Sequence, residues 1–157
     1  MKWKLNRFSN DIYDFVCNLS KLRKERELLH FEKELTVTDS IACGYPDISY
    51  HGTEAWRPDT SYISRMIGIM LYGEYAQGQN AESLYIAYNM HWENHELALP
   101  KLPKGKEWYP VLTTSGFINT DMIDESRIQV TGRSVALYSS RTDTSYTTKR
   151  QTKKKGT

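Results

Sequence analysis

Residues 83–110, SLYIAYNMHWENHELALPKLPKGKEWYP, predict three short β-strands joined by turns. The first strand, residues 83–88, is apolar, aromatic and β-branched, a composition that favours a packed sheet. The second, residues 93–99, becomes apolar towards its end and stops at Pro100, because proline cannot donate a hydrogen bond to a neighbouring strand. A turn rich in proline, glycine and lysine then leads into the third strand at residues 107–112.

The segment before this stretch continues the β pattern. Residues 63–72 form the most apolar run of the chain. A helix is the alternative for so short a run, but the alternation of Ile67, Ile69 and Leu71 favours a strand. Residues 74–82 contain turn-forming glycine and asparagine and predict the hairpin loop that follows.

The outer segments predict loops and one more pair of strands. Residues 35–62 predict a connecting strand and a long ordered loop, because glycines and prolines interrupt them repeatedly. Residues 113–126 are polar and predict another ordered loop. Residues 127–130 and 134–139 predict a final hairpin around Thr131-Gly132-Arg133.

An amphipathic helix is predicted at residues 9–29. Acidic residues lie in its first turn and basic residues near its end, as the helix dipole favours. Its apolar residues recur at intervals of three and four and form one stripe: Ile12, Phe15, Val16, Leu19 and Leu22. We expect this stripe to be covered, because large exposed apolar patches are rare on monomers.

The sequence therefore predicts a mainly β fold, an antiparallel β-sandwich preceded by one amphipathic α-helix. We assign residues 1–33 to the helical segment and residues 34–140 to the sandwich. Residues 141–157 are rich in lysine, serine and threonine, and we expect a disordered basic tail there.

The charge of the chain comes mainly from this tail. The net charge is +2, but five cations lie within residues 149–155, so the rest is slightly acidic and predicts no nucleic-acid partner. No stretch approaches the roughly 20 apolar residues of a membrane span, and no signal peptide is evident. Cys17 and Cys43 fall in different predicted elements, and we expect both to be reduced thiols of a cytoplasmic protein.

An ordered series within residues 89–108 carries a family resemblance. It runs N-x-H-W-E, then L-x-L-P-x-L-P-x-G-K-x-W, and its members are Asn89, His91, Trp92, Glu93, Leu97, Leu99, Pro100, Leu102, Pro103, Gly105, Lys106 and Trp108. This series closely resembles the C-terminal β-sandwich domain of bacterial glycogen-debranching enzymes. Those enzymes are the isoamylase and pullulanase branch of the α-amylase superfamily, glycoside hydrolase family 13.

Two further segments extend the resemblance over most of residues 3–139. Residues 19–25, LSKLRKE, are similar to the L-x-x-L-R-K-E of the last helix of the family's (β/α)₈ barrel. Residues 47–52, DISYHG, are similar to D-I-x-W-H-G, with Tyr50 where tryptophan is usual, and Trp56 follows as in the family. The resemblance implies that a sandwich like the C-terminal domain of α-amylases follows that last barrel helix in the sequence.

The resemblance also implies which chemistry this chain lacks. The family carries its catalytic residues on barrel strands, which correspond to positions before Met1, so we expect no catalytic residue and no cofactor here. The implied function is a non-catalytic C-terminal domain or fragment that supports α-1,6-glucosidic hydrolysis by a catalytic barrel absent from this chain. The alternatives are a stand-alone glucan-binding module and one subunit of a split debranching enzyme.

Aromatic residues are the candidates for glucan binding. Flat apolar ring faces stack on the C–H groups of a sugar, and we assign this role to Tyr50, His51, Trp56 and Trp92. The alternative is that these rings serve the core and the interface with the barrel. We favour that alternative most for Trp108, and less strongly for Trp56 and His51, which lie in the long loop.

The series His91-x-Glu93-x-His95 raises the question of a metal. At a period of two, the three side chains would project to one side of a strand, and imidazole with carboxylate suits zinc. No fourth ligand is evident, and the resemblance accounts for His91 and Glu93. We therefore expect no metal. The expected partners are an α-glucan, the missing barrel, or a second copy of the chain docked through the helix stripe.

Overall fold

The computed structural model describes residues 7–76, 82–115 and 122–142. It divides into two compact units, Met1–Glu34 and Leu35–Thr157. The predicted tail falls almost entirely outside the described residues.

The first unit contains the predicted amphipathic helix. Helix α1 spans Arg7–Glu25 and is followed by a short 3₁₀ helix at Glu27–Leu29. The α-helix ends earlier than the predicted residue 29, because Arg26 adopts an extended backbone (φ −121°, ψ 107°). Arg23 and Lys24 lie in the last turn, where positive charge is favourable. In the described part of the chain, no helix is both long enough and apolar enough to cross a membrane.

The second unit contains two antiparallel sheets. Its described strands are β1 (Ile48–His51), β2 (Met66–Leu71), β3 (Leu84–Asn89), β4 (His95–Ala98), β5 (Lys106–Thr113), β6 (Met122–Asp124), β7 (Arg127–Val130) and β8 (Ser134–Thr142). One sheet has the order β1-β2-β3-β8-β5 and the other the order β4-β7-β6. A 3₁₀ turn at Gly73–Tyr75 follows β2.

The core lies between these sheets. Both contribute side chains that are at most 2% exposed: Met70, Tyr85 and Tyr138 from the larger sheet, and Leu97, Ile128 and Val130 from the smaller. The hydroxyl of Tyr85 crosses the core and donates a hydrogen bond of 2.8 Å to the carbonyl of Ala98. The predicted β-sandwich preceded by one helix is thus confirmed.

The three strands predicted at residues 83–110 are all present as β3, β4 and β5. They do not pair with one another. Strand β3 pairs with β2 and β8, β4 pairs with β7, and β5 pairs with β8. The chain therefore crosses from the larger sheet to the smaller and back within this stretch.

Two predictions about the C-terminal strands were wrong. Strands β7 and β8 do not form a hairpin: β7 pairs with β4 and β6, and β8 pairs with β3 and β5. The intervening Gly132 packs against the carbonyl of Trp92, where any Cβ atom would overlap. The segment at 113–126 is also not simply a loop, because it contains β6. Residues 116–121 of that predicted loop lie outside the described residues.

The remaining strand predictions are confirmed with small shifts. Strand β2 pairs with β3 in an antiparallel register, so residues 74–82 do connect a hairpin, although residues 77–81 lie outside the described part. Strand β1 is the predicted connecting strand within residues 35–62. Strand β8 continues to Thr142, two residues past the predicted end of the sandwich.

Candidate functional site

A buried imidazole lies at the end of β1. His51 is fully buried, and its ring meets the edge of Trp56 at a centroid distance of 4.9 Å and tilts against Tyr85 at 5.8 Å. Both ring nitrogens have partners. Nε2 lies 2.9 Å from the hydroxyl of Ser49, and Nδ1 accepts the backbone N–H of Trp56 at 2.8 Å.

These contacts fix the tautomer of His51. Because Nδ1 accepts a backbone N–H, it carries no proton in the neutral ring, so the proton is on Nε2 and is donated to Ser49. The imidazole therefore cannot take the serine proton as the base of a nucleophile pair would. Burial lowers the pKa of His51 to about 4, and the ring is neutral at neutral pH.

Trp56 follows in the loop after β1 with its side chain partly in solvent. Its backbone has a φ of 68°, a left-handed conformation that non-glycine residues rarely adopt. The turn is closed by a bridge between Glu54 and Arg57, whose side chains form an ion pair of 2.8 Å. The indole is 44% exposed although its backbone N–H is fixed on His51. The turn thus presents one ring face in a defined orientation.

Tyr45 lies beside Trp56, at a ring centroid distance of 6.1 Å. It stacks on Tyr72 at 4.4 Å and donates its hydroxyl to the carbonyl of Lys101 at 3.1 Å. We call Tyr45 and Trp56 the aromatic ledge. Tyr45 was not among the predicted binding residues, although its place between Gly44 and Pro46 in the long predicted loop marked it as a candidate.

The loop that carries Tyr45 is fastened by a buried carboxylate. Asp47 is 6% exposed and accepts the backbone N–H groups of Thr36, Val37 and Ile48 at 2.6–2.8 Å, as well as the hydroxyl of Thr36. Burial alone would raise the pKa of Asp47, but these hydrogen bonds outweigh it and hold the pKa below its usual value. Val37 is thereby held at a φ of 59°.

The other two predicted binding residues do not join this group. Tyr50 lies between Ser49 and His51 on β1, and strand alternation directs its side chain to the opposite face from theirs. Trp92 lies in the loop between β3 and β4, where it is 60% exposed and stacks on His91 at 3.9 Å. The guanidinium of Arg65 lies 5.5 Å from its ring centre. The structure thus brings His51 and Trp56 together and places Tyr50 and Trp92 elsewhere.

Trp108 belongs to the core, as the sequence analysis favoured. It is 5% exposed, and its indole N–H donates to the carbonyl of Pro100 at 2.8 Å. Its ring contacts Tyr85 at 5.8 Å. This tryptophan cannot stack on an external ligand.

The described residues contain one group of side chains with metal-ligating geometry. The ligand atoms of His91, Glu93 and His95 all lie within 4.8 Å of one another. The strand periodicity that we used to align them was wrong, because only His95 lies in a strand and the other two lie in the preceding loop. They converge because this loop turns back on itself.

The family model for "Isoamylase 1-3, C-terminal" matches residues 49–148, nearly two thirds of the chain. The matched region begins in β1, includes Trp56 and the loop between β3 and β4, and continues beyond β8. No curated protein sequence gives a significant match. A match over this share of the chain, on a two-sheet antiparallel fold, shows that the chain belongs to the isoamylase 1-3 C-terminal domain family.

Proposed function

We propose that this chain serves as the non-catalytic C-terminal domain of an α-glucan debranching glycoside hydrolase. In this role it supports hydrolysis of α-1,6-glucosidic bonds by a (β/α)₈ catalytic barrel that is absent from this chain. The observation that carries the proposal is the family match over residues 49–148 on two packed antiparallel sheets. The split-enzyme alternative differs only in placing the barrel on a separate chain.

The character of the buried histidine supports a non-catalytic role. A glycosidase of the common type needs two carboxyl groups across the scissile bond. The polar and aromatic cluster at the end of β1 instead contains the neutral imidazole of His51. This ring is fully buried and hydrogen-bonded to Ser49 and Trp56. Because both of its ring nitrogens are hydrogen-bonded inside the protein, His51 holds the turn and offers no free lone pair to a substrate proton.

The first experiment tests hydrolysis by the chain alone. The purified chain is incubated with pullulan and with glycogen, and new reducing ends are measured against a heat-denatured sample. We expect no release above that control. Release by the native chain that scales with protein concentration would contradict the non-catalytic role.

The supporting role needs a second experiment. The whole chain is joined to the barrel of an isoamylase that lacks its own C-terminal domain, and the melting temperature and debranching rate are measured. We expect both to rise above those of the barrel alone, and to fall again when the joined chain carries Asn89→Ala. A fusion no better than the bare barrel would count against the role.

Glucan binding is the second candidate function, and the aromatic ledge is the observation that favours it. Trp56 offers an exposed ring face on a rigid turn, with His51 behind it and Tyr45 beside it. Rigid aromatic surfaces bind with little loss of side-chain entropy. Tyr50 and Trp92 would act on separate surfaces, outside this group.

Calorimetric titration with maltoheptaose tests the ledge. Saturable binding that Trp56→Ala weakens by about tenfold or more would establish it. The matched control is Tyr62→Ala, which removes a ring that is 99% exposed and outside the ledge. If no binding is detected at millimolar sugar, the chain is not a glucan-binding module, and the proposed role as a supporting C-terminal domain remains.

The helix stripe provides the proposed contact with other protein. Four residues of the stripe on α1 carry this contact: Ile12, Phe15, Val16 and Leu19. Their partner is a barrel, a second copy of the chain, or the sandwich itself. A cytoplasmic location fits the free thiols of Cys17 and Cys43. Light scattering of the chain and of a Val16→Asp variant tests self-association, which the charge should abolish.

A further inference from the structure

A histidine of the loop between β3 and β4, His91, meets His95, the first residue of β4. Nε2 of His95 lies 3.0 Å from Nδ1 of His91, and the two rings are nearly perpendicular, at 84°. A carboxylate oxygen of Glu93 lies 4.0 Å from the same Nδ1 atom. The three potential ligand atoms therefore lie within 4.8 Å of one another, and the two imidazoles are joined by a hydrogen bond.

The separations are close to those of a metal centre. A zinc–nitrogen bond is about 2.0–2.1 Å, so two imidazole nitrogens on one tetrahedral ion lie about 3.3 Å apart. The observed 3.0 Å has to widen by only a few tenths of an ångström. The Glu93 side chain is 67% exposed and can swing towards the ion without disturbing the core.

The backbone that bears these ligands is held before any ion binds. The Asn89 side chain donates to the carbonyl of Glu93 at 2.8 Å and accepts the N–H of His91 at 3.0 Å. The carbonyl of His91 accepts the N–H of Arg133 at 2.7 Å. His95 is paired with Val130 in the smaller sheet. Preorganised ligands lose less conformational entropy when they bind.

We propose that His91, Glu93 and His95 form a binding site for a divalent transition-metal ion, and that Zn²⁺ fits the donor set best. Two imidazoles and a carboxylate, with water in the fourth position, form the open arrangement that zinc adopts in many proteins. No fourth protein ligand is evident in the sequence, but a site that leaves the fourth position to water does not require one. This site is independent of the proposed debranching role.

We expect moderate affinity. Nδ1 of His91 accepts the backbone N–H of Glu93 at 3.1 Å and is hydrogen-bonded to Nε2 of His95 at 3.0 Å. Both hydrogen bonds are lost when the two imidazoles bind an ion. Protons compete for the same lone pairs, so binding should weaken in acid. A dissociation constant in the micromolar range is the expected result.

The test is calorimetric titration of the full chain, without an affinity tag and after chelator treatment, with zinc chloride at about pH 7.5. We expect one site that His91→Gln and His95→Gln each weaken by about tenfold or more, and that Glu93→Gln weakens less. The matched control is His30→Gln, which removes an exposed histidine from the other unit and should leave binding unchanged.

Melting curves distinguish lost ligation from lost folding. Zinc should raise the melting temperature of the wild type and of His30→Gln, and should not raise that of His95→Gln, whose metal-free melting is measured alongside. Glu93→Gln alters an exposed side chain, so its fold should be intact. The proposal is overturned if no heat appears up to about 1 mM zinc. It is equally overturned if His95→Gln binds as the wild type does, or if Cys17→Ser and Cys43→Ser abolish binding.

Discussion

The side-chain amide of Asn89 donates a hydrogen bond of 2.9 Å to the carbonyl of Val130, and this bond joins the two sheets. Asn89 ends β3 in the larger sheet, whereas Val130 ends β7 in the smaller. The same amide donates to Glu93, and its oxygen accepts from His91. One fully buried side chain thus fixes both the contact between the sheets and the loop that crosses between them.

Replacing Asn89 with alanine should therefore destabilise the whole second unit. The change leaves two backbone carbonyls and one N–H without their partner. Only the bond to Val130 is buried, and its loss costs about 1–3 kcal/mol, whereas the two part-buried groups can bind water and cost less. We expect the free energy of unfolding to fall by about 2–4 kcal/mol, measured by urea denaturation. Asn94→Ala is the control. Asn94 is exposed and makes one described bond of 3.1 Å to Gly132, so its loss should cost less than about 1 kcal/mol.

Asp47→Asn should release the segment that precedes β1. The carboxylate accepts three backbone N–H groups and a hydroxyl, whereas an amide has only one accepting oxygen. We expect a loss of about 2–3 kcal/mol at neutral pH. Faster proteolysis near residues 36–46 should accompany it.

Asp59→Asn provides the comparison for Asp47. Asp59 is exposed and accepts the N–H of Ser61 at 3.0 Å. Its replacement should change stability by less than about 1 kcal/mol. Equal losses in the two variants would show that Asp47 does not fasten the loop as described.

Some strands were predictable from apolar composition together with burial that alternates at a period of two, as in β7 and most of β3. In β3, Leu84 and Tyr85 are buried and Ala87 and Asn89 follow at spacings of two, while Ile86 and Tyr88 are less buried. Strand partners were not predictable in the same way. The short Thr131-Gly132-Arg133 link is typical of a hairpin, yet it joins strands of different sheets. Ile128 on β7 enters the core from the smaller sheet, whereas Tyr138 on β8 enters it from the larger sheet.

The sequence could predict which candidate residues lie together only where they are close in the chain. His51 and Trp56 are five residues apart in one motif, and a single hydrogen bond brings them together. Tyr50 was grouped with them although strand alternation excludes it. Tyr45 approaches Trp56 only because Asp47 and Tyr72 position its loop, and that approach depends on tertiary structure. His91 and His95 converge through a loop whose course depends on Asn89.

Gly68→Ala should disturb the centre of the larger sheet. Gly68 lies on β2 opposite Ala87, and a Cβ atom there would overlap the phenol oxygen of Tyr85. That phenol cannot move freely, because it is bonded to Ala98 at 2.8 Å inside the core. Overpacking of this kind costs about 1–3 kcal/mol or more, and urea denaturation should report it.

A double variant tests the cause of this loss. Tyr85→Phe removes the overlapping oxygen and should cost about 1 kcal/mol by itself through the lost hydrogen bond. In the Tyr85→Phe background, Gly68→Ala should then cost less than it does in the wild type. Because ring carbons of Tyr85 also overlap the added Cβ atom, strict additivity would mean that the hydroxyl and its bond to Ala98 do not set the cost of Gly68→Ala.

His51 should make the stability of the second unit depend on pH. Burial lowers its folded pKa to about 4, whereas an unfolded histidine titrates near pH 6.5. Between these values the unfolded chain binds more protons than the folded chain, so stability falls as the pH falls, by up to about 1.4 kcal/mol per pH unit. From about pH 7 to about pH 5 the expected loss from this group is on the order of 2 kcal/mol.

The comparison of three proteins isolates this contribution. Urea denaturation is measured at about pH 7 and about pH 5 for the wild type, His51→Gln and His30→Gln. His51→Gln is less stable throughout, because it disturbs the bonds to Ser49 and Trp56, but its stability should change less between the two pH values. His30→Gln should retain the wild-type change, since His30 is exposed. Carboxylates change the stability of all three proteins alike. If the free energy of unfolding of His51→Gln fell as much between the two pH values as that of the wild type, protonation of His51 would not be the cause of the fall.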